Sequence, residues 1–186
     1  MEYFELLNQK GEKLGRIKER EAVHRDGDIH GASHIWVVRR GEKGDEVLLQ
    51  KRRPDKDSFP GCLDTSCAGH MTAGEDFVST ALRELGEELG LTAAPEDLIF
   101  LERRYVEGEH VFHGRPFRNH EVFDVYLLRP DFPLEGLTWQ EEEIAGLVWQ
   151  QAELVGEMLE AGSEDYCIDP GEFETLRRYL KEQERG

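Results

Sequence analysis

The sequence has few cysteines and no long apolar run. Its three cysteines, Cys62, Cys67 and Cys167, are odd in number and lack CxxC or zinc-finger spacing, so they predict neither a disulfide framework nor a zinc site. No apolar stretch approaches the ~20 residues that a membrane span needs, and the first residues are charged where a secretion signal is apolar. We therefore expect a cytoplasmic protein with reduced thiols and no membrane partner.

Positive charge is also scarce. The 186 residues include 23 Lys and Arg against 40 Asp and Glu, which gives a net charge of −17. This charge opposes the attraction to phosphates on which nucleic-acid binding depends, so a nucleic acid polymer is not expected as a partner. A small diphosphate is compatible with the charge, because a bound cation can neutralise it locally.

The length suits one domain with a sizeable core, and no repeat or low-complexity linker divides the chain. We predict a single domain over 1–186, in which residues 1–30 form an extension and residues 31–186 form the core, ending in two helices. Strand patterns at 3–8 and 14–18 predict that the extension contains a β-hairpin. This hairpin is a lid, the edge of a homodimer, or a simple addition to the main fold.

The most informative stretch runs from Gly69 to Leu91, GHMTAGEDFVSTALRELGEELGL. Its turn glycines, the amphipathic run 76–89 and a glycine at the position of a C-cap predict a loop followed by a helix. The apolar positions share one side of this helix, and Glu84, Glu87 and Glu88 share another. These glutamates form either a solvated acidic face or a site for a hard divalent cation such as Mg²⁺ or Mn²⁺.

The full spacing resembles the Nudix box, the signature of hydrolases that cleave nucleoside diphosphates linked to another group. Every fixed position of the box is matched by Gly69, Glu75, Arg83-Glu84-Leu85, Glu87-Glu88 and Gly90-Leu91. The resemblance implies an α/β/α sandwich with a mixed, curved sheet. It also implies that Glu75 pairs with Arg83, and that the metal is held by Glu84, Glu87, Glu88 and the Gly69 carbonyl. The expected catalytic residues are Arg83, Glu84, Glu87 and Glu121.

A second resemblance involves RRPDKDSFPG and SCAGH, at residues 52–61 and 66–70. Both stretches are similar to type I isopentenyl-diphosphate isomerases, which share the Nudix fold but move a double bond. The catalytic cysteine of those enzymes would occupy position 68, which is Ala68 here. Because neighbouring strand residues point to opposite faces, the Cys67 thiol is expected to point away from the site. His30 and His70 nevertheless occupy places where that family has metal-binding histidines, and His24 and His30 are either ligands or ordinary loop residues.

The remaining candidates lie in the second half of the chain. Glu121 shares a predicted strand face with apolar residues, where a carboxylate is costly unless it is paired, and Nudix enzymes often place a further metal-binding or water-activating glutamate near this strand. The acidic run 140–143 is the alternative source of a base. Residues 107–120 predict a loop or irregular hairpin. The candidate substrate-binding residues are Arg52, Arg115, Phe117 and Arg118.

Together these features predict metal-dependent hydrolysis of a diphosphate bond in a nucleoside diphosphate, free or linked to another group. Two alternatives stay open: an isomerase of isopentenyl diphosphate, and a Nudix-fold binding module without catalysis.

Overall fold

The computed structural model describes residues 1–56, 59–112, 114–130, 137–142 and 144–184, and in β7 and β8 it leaves out the side chains of residues 112, 115 and 116. The elements in chain order are β1 Tyr3–Leu7, β2 Lys13–Glu19, α1 Arg20–Asp26, β3 His30–Gly41, β4 Gly44–Arg52, β5 Leu63–Asp64, β6 Cys67–His70, α2 Phe77–Leu89, a 3₁₀ turn Pro95–Asp97, β7 Leu98–Phe112, β8 Arg115–Leu128, β9 Ile144–Gln151, α3 Ala152–Glu160 and α4 Pro170–Glu184. No helix among these elements is long and apolar enough to cross a membrane.

A mixed seven-stranded sheet separates two helical layers. Its order is β5-β4-β3-β8-β7, with β6 on β3 and β9 on β4, and β3 and β8 are parallel. Alternation along β3 sends Ile35 into the core under α2 and Trp36 into the core under α3 and α4. The predicted mixed sandwich and the N-terminal antiparallel hairpin, β1 with β2, are therefore confirmed.

Helix α2 begins and ends where the sequence predicts. Asp76 accepts a hydrogen bond from the Ser79 backbone N–H at 2.8 Å, and the Ser79 hydroxyl accepts one from the Asp76 backbone N–H at 2.9 Å. This reciprocal capping satisfies two donors at the start of the helix. Gly90 ends the helix with a φ of 63°, a conformation that favours glycine.

Two segments differ from the expectation. Residues 107–120, expected to form a loop or an irregular hairpin, are mostly strand, because β7 and β8 keep antiparallel pairing out to Phe112 and Arg115. The hairpin alternative is thus the one observed, with more regular pairing than expected. His24 and His30, of which one alternative was a place in a loop, lie on helix α1 and on strand β3.

Candidate metal and diphosphate site

Arg83 joins the loop before α2 to the helix itself. Its guanidinium donates to both carboxylate oxygens of Glu75, at 2.7 and 3.2 Å, which is the pairing that the resemblance to the Nudix box implied. The same group donates to Glu84 at 2.8 Å, to Glu87 at 2.9 Å and to the His70 carbonyl at 2.9 Å. Burial raises the pKa of Glu75, but the hydrogen bonds from Arg83 and the Thr72 backbone outweigh it, and the pKa is lowered overall.

Glu84 packs against the bare Cα of Gly69. The Glu84 side chain is buried, and a Cβ added to Gly69 would lie 1.8 Å from its Oε1. Only glycine permits this approach. Burial raises the pKa of Glu84, and the charge of Arg83 opposes that rise. A carboxylate in such a position is stabilised in its charged form by a cation.

The other two box glutamates differ in exposure. Glu87 is exposed, with 59 % of its side chain accessible. Glu88 accepts a hydrogen bond from the Ala68 backbone N–H at 3.3 Å, so it reaches the edge of β6. Together with Glu84 these residues supply carboxylate oxygens only, the donor set that fits Mg²⁺ or Mn²⁺.

Cys67 lies on the α2 side of β6. Its side chain is fully buried in the core with Leu85 and Ile35. Burial raises the pKa of the thiol well above its ordinary value, and the Glu88 charge adds to the effect. The thiol points away from the histidines on the other face of β6, as alternation predicts, but sequence alone did not reveal its contact with Glu88.

The opposite face of β6 carries a histidine pocket, formed by His24, His30 and His70 from α1, β3 and β6. One ring nitrogen of each histidine lies within 4.8 Å of the others. Phe4 of β1 stacks on His30 and His70 at centroid distances of 5.2 and 5.0 Å. Phe117 of β8 stacks on His24 at 4.4 Å. Phe4 was not among the expected site residues, because its contacts arise only when β1 packs on the main fold.

Backbone carbonyls fix the tautomers of two of these histidines. Nδ1 of His24 lies 2.9 Å from the Arg20 carbonyl, and Nδ1 of His30 lies 3.2 Å from the Asp28 carbonyl. A carbonyl only accepts, so Nδ1 carries the proton and Nε2 carries the lone pair. Both Nε2 atoms are buried without a hydrogen-bond partner in the described part of the chain. The lone pairs of these two nitrogens therefore point into the pocket without a hydrogen-bond donor.

Burial keeps the pocket imidazoles neutral at pH 7. It lowers the pKa of His30 to about 4 and that of His70 well below the ordinary value. Glu121 lies beside them, with Oε1 3.4 Å from Nε2 of His70 and 3.8 Å from Nε2 of His30. Because the histidines are neutral, we interpret these contacts as neighbouring ligand atoms rather than as ion pairs. Three neutral imidazoles and a carboxylate form a donor set that fits a transition metal.

The box glutamates and the histidine pocket are separated by one strand. Gly69 faces Glu84, whereas Ala68 and His70 face the histidines, because neighbours on a strand point to opposite faces. Among the described strands β6 pairs with β3 alone, and on its other edge the Ala68 N–H and the His70 carbonyl bond to Glu88 and Arg83 of α2. The two groups of side chains thus lie on opposite faces of the same short strand.

The predicted substrate-binding residues do not form one cluster. Arg52 pairs with Asp64 at 3.0 Å near β5, and Phe117 lies against the histidine pocket. Arg118 pairs with Glu109 at 3.4 Å and donates to the Arg25 carbonyl at 3.2 Å. The Arg115 side chain lies outside the described part of the structure, as does Glu143 of the acidic run.

Comparisons with known proteins agree with the fold and the box. The NUDIX domain family model matches residues 30–170. Nudix hydrolase 3 of Arabidopsis thaliana is 44% identical over 152 residues, which is 77% of this chain and 18% of that protein. This chain thus spans less than a fifth of that relative. A crystal structure from Deinococcus radiodurans has a TM-score of 0.63 at 22% identity, covering 95% of this chain and 98% of its own.

The second resemblance also appears among the relatives. Isopentenyl-diphosphate Delta-isomerase of Aliivibrio fischeri is 33% identical over 101 residues, covering 54% of this chain and 55% of that enzyme. The match is thus partial, whereas the NUDIX model covers most of the chain. With that coverage and a complete box on α2 and its preceding loop, this chain belongs to the Nudix family.

Proposed function

We propose that this protein hydrolyses a diphosphate bond, using Mg²⁺ or Mn²⁺ held by Glu84, Glu87 and Glu88 with the Gly69 carbonyl. Nudix hydrolases generally use divalent metal ions. The observation that carries the proposal is the buried Glu84 carboxylate against Gly69, beside the two other box glutamates. A cation bound there neutralises charge on phosphate oxygens and lowers the pKa of a coordinated water.

Arg83, Glu87 and Glu121 have the remaining roles in this proposal. Arg83 orients Glu84 and Glu87 through its hydrogen bonds and ties both to the preceding loop. We assign proton removal from the attacking water to Glu87, because its carboxylate is exposed beside the proposed cation site. Glu121 lies with the histidines on the far side of β6, so we assign it to metal or substrate contact there.

The substrate class is a nucleoside diphosphate, free or linked to another group. The net charge of −17 favours a small anion that arrives with its cation over a polymeric one. The choice of base and leaving group depends on side chains outside the box. Arg52, Arg115, Phe117 and Arg118 stay candidates for that contact.

The test is product release from a panel of nucleoside diphosphates, nucleotide sugars, dinucleotides and isopentenyl diphosphate, with Mg²⁺, with Mn²⁺ and with chelator. We expect metal-dependent cleavage of one class, and a loss of at least about 10²-fold in Glu87→Gln. Glu157→Gln, an exposed glutamate on α3, is the control and should keep full activity. Equal rates in Glu87→Gln and wild type would contradict the assignment.

A second candidate is isomerisation of isopentenyl diphosphate, favoured by the histidine pocket and by the partial isomerase matches. The buried position of Cys67 argues against it, because no thiol faces that pocket from β6. We therefore predict that Cys67→Ser keeps kcat within about threefold and loses roughly 1–2 kcal/mol of unfolding free energy. Initial rates measure kcat and urea titrations measure the unfolding free energy, and complete loss of activity in a folded variant would favour the isomerase.

A silent binding module is disfavoured because all box carboxylates are present.

A further inference from the structure

His34 lies on the same face of the sheet as the histidine pocket but is not part of it. Alternation along β3 turns His30 and His34 to one side, and register places His34 beside Ala68 of β6 and Val125 of β8. Its ring therefore lies next to the position where β6 presents Ala68, two residues before His70.

Contacts on two sides hold this ring in place. Nδ1 of His34 lies 3.0 Å from Oε2 of Glu172, which comes from the first turn of α4. The other oxygen of Glu172 accepts a hydrogen bond from Trp36 Nε1 at 2.9 Å. One face of the His34 ring stacks on Phe123, with centroids 4.1 Å apart. Because both carboxylate oxygens of Glu172 are used, neither Glu172 nor His34 can turn without losing a contact.

The contact with Glu172 also keeps the His34 ring protonated, so this face of the sheet carries a positive charge. Glu172 is 3 % exposed, and a buried carboxylate is costly without a cation. Burial lowers the pKa of His34, but the charge and hydrogen bond of Glu172 outweigh it and raise the pKa to about 9. Glu121 and Asp64, the other acidic groups facing His34, act in the same direction. His30 and His70 show the opposite shift.

One donor of this imidazolium is left for a ligand. The His34 side chain is 22% exposed, and Nδ1 is already engaged by Glu172. Nε2 is on the other side of the ring, and the described part of the structure shows no hydrogen bond or ion pair to it. A rigid N–H donor that carries charge is the kind of group that binds a phosphate oxygen.

We propose that His34, held by Glu172 and Phe123, binds an anionic oxygen of the diphosphate substrate from the face of β6 opposite the box helix. The inference rests on the proposed hydrolase function and adds a substrate-positioning residue to it. A diphosphate reaching across β6 would be held on one side by the box cation and on the other by His34.

The experiment compares wild type, His34→Gln and Glu172→Gln in steady-state hydrolysis of the best substrate from the panel. We expect both variants to raise KM about tenfold or more, since each loses a charge-assisted hydrogen bond to the substrate, with kcat changed less than threefold. His110→Gln, on the exposed far part of β7, is the matched control and should change neither constant.

Binding of inorganic pyrophosphate with Mg²⁺ gives a readout that does not depend on turnover. In a Glu87→Gln background, titration calorimetry should show that pyrophosphate binds about tenfold more weakly after His34→Gln or Glu172→Gln. Far-UV circular dichroism identifies a variant that fails to fold. The KM and the pyrophosphate affinity of the other variant then test the inference. Unchanged KM and unchanged pyrophosphate affinity in a folded variant would overturn the inference. A wild type that cleaves no diphosphate at all would instead overturn the proposed function.

Discussion

At the scale of single residues, the contact between Gly69 and Glu84 shapes the box site. Glu84 is buried because Gly69 has no side chain, and its carboxylate is held in place by Arg83. Any other residue at position 69 must displace Glu84 from this position. The geometry of the proposed cation site therefore depends on the absence of a side chain at position 69.

We predict that Gly69→Ala folds but binds Mn²⁺ at least tenfold more weakly, because its Cβ would lie 1.8 Å from Glu84 Oε1. The overpacking should cost about 1–3 kcal/mol of unfolding free energy. Gly86→Ala on α2 is the matched control, since its Cβ would meet nothing closer than 3.8 Å. That control should gain up to ~1 kcal/mol and keep its affinity. Mn²⁺ titration by electron paramagnetic resonance measures the affinity, and equal affinities in both variants would refute this account of Gly69.

Single residues also show how far the sequence predicts the site. The pair Glu75–Arg83 was implied by the resemblance to the Nudix box, and the need of Glu121 for a partner follows from strand alternation, which is a local signal. The pair His34–Glu172 could not be predicted, since its members are 138 positions apart and meet only when α4 packs on β3. Phe4 and Phe117 reach the histidine pocket by similarly long-range packing.

At the scale of elements, β6 and α2 act as one unit. The loop between them is tied to α2 by Glu75 and Arg83, while Arg83 also reaches the His70 carbonyl on β6. Helix α2 was predicted accurately because capping residues and apolar periodicity are encoded locally. The β7–β8 hairpin was only partly predicted, because strand pairing depends on the partner strand more than on propensity.

The Glu75–Arg83 contact should make stability depend on acid pH. The folded pKa of Glu75 is below its ordinary value of 4.5, so its contribution is present above that value and is lost as pH falls through the folded pKa. We predict that Glu75→Gln lowers the unfolding free energy by roughly 1–2 kcal/mol at pH 7 and that the difference shrinks below about pH 4.5. Urea titrations at several pH values test this. A difference that stays constant down to pH 3 would show that the charge of Glu75 has no part in it.

At the scale of the whole molecule, the N-terminal hairpin is fixed to the core. The Leu7 N–H donates to the Ile29 carbonyl and the Ala73 N–H donates to the Tyr3 carbonyl, both within 2.9 Å. Phe4 is fully buried and stacks on both His30 and His70. Residues 1–30 thus contribute directly to the histidine pocket, and their role as a lid or homodimer edge stays a prediction.

We predict that Phe4→Ala lowers the unfolding free energy by about 3–5 kcal/mol, because it removes a fully buried aromatic ring. It should also weaken Co²⁺ binding to the histidine pocket, since Phe4 packs on two of the three rings. Tyr3→Ala, at the neighbouring and 47% exposed position, should change stability by less than about 0.5 kcal/mol. Urea denaturation and Co²⁺ absorption titrations compare the two. Similar losses in both variants would show that Phe4 has no special place in the pocket.

The most direct test of the proposed hydrolysis follows the oxygen atom of water. The best substrate is incubated in ¹⁸O-enriched water with Mg²⁺, using wild type and Glu87→Gln, and the products are analysed by mass spectrometry. We predict that wild type places one ¹⁸O in a phosphate group of one product, and that Glu87→Gln does so at least about 10²-fold more slowly. Products without ¹⁸O in a phosphate group, or equal labelling rates in the two proteins, would contradict metal-assisted attack of water at the box.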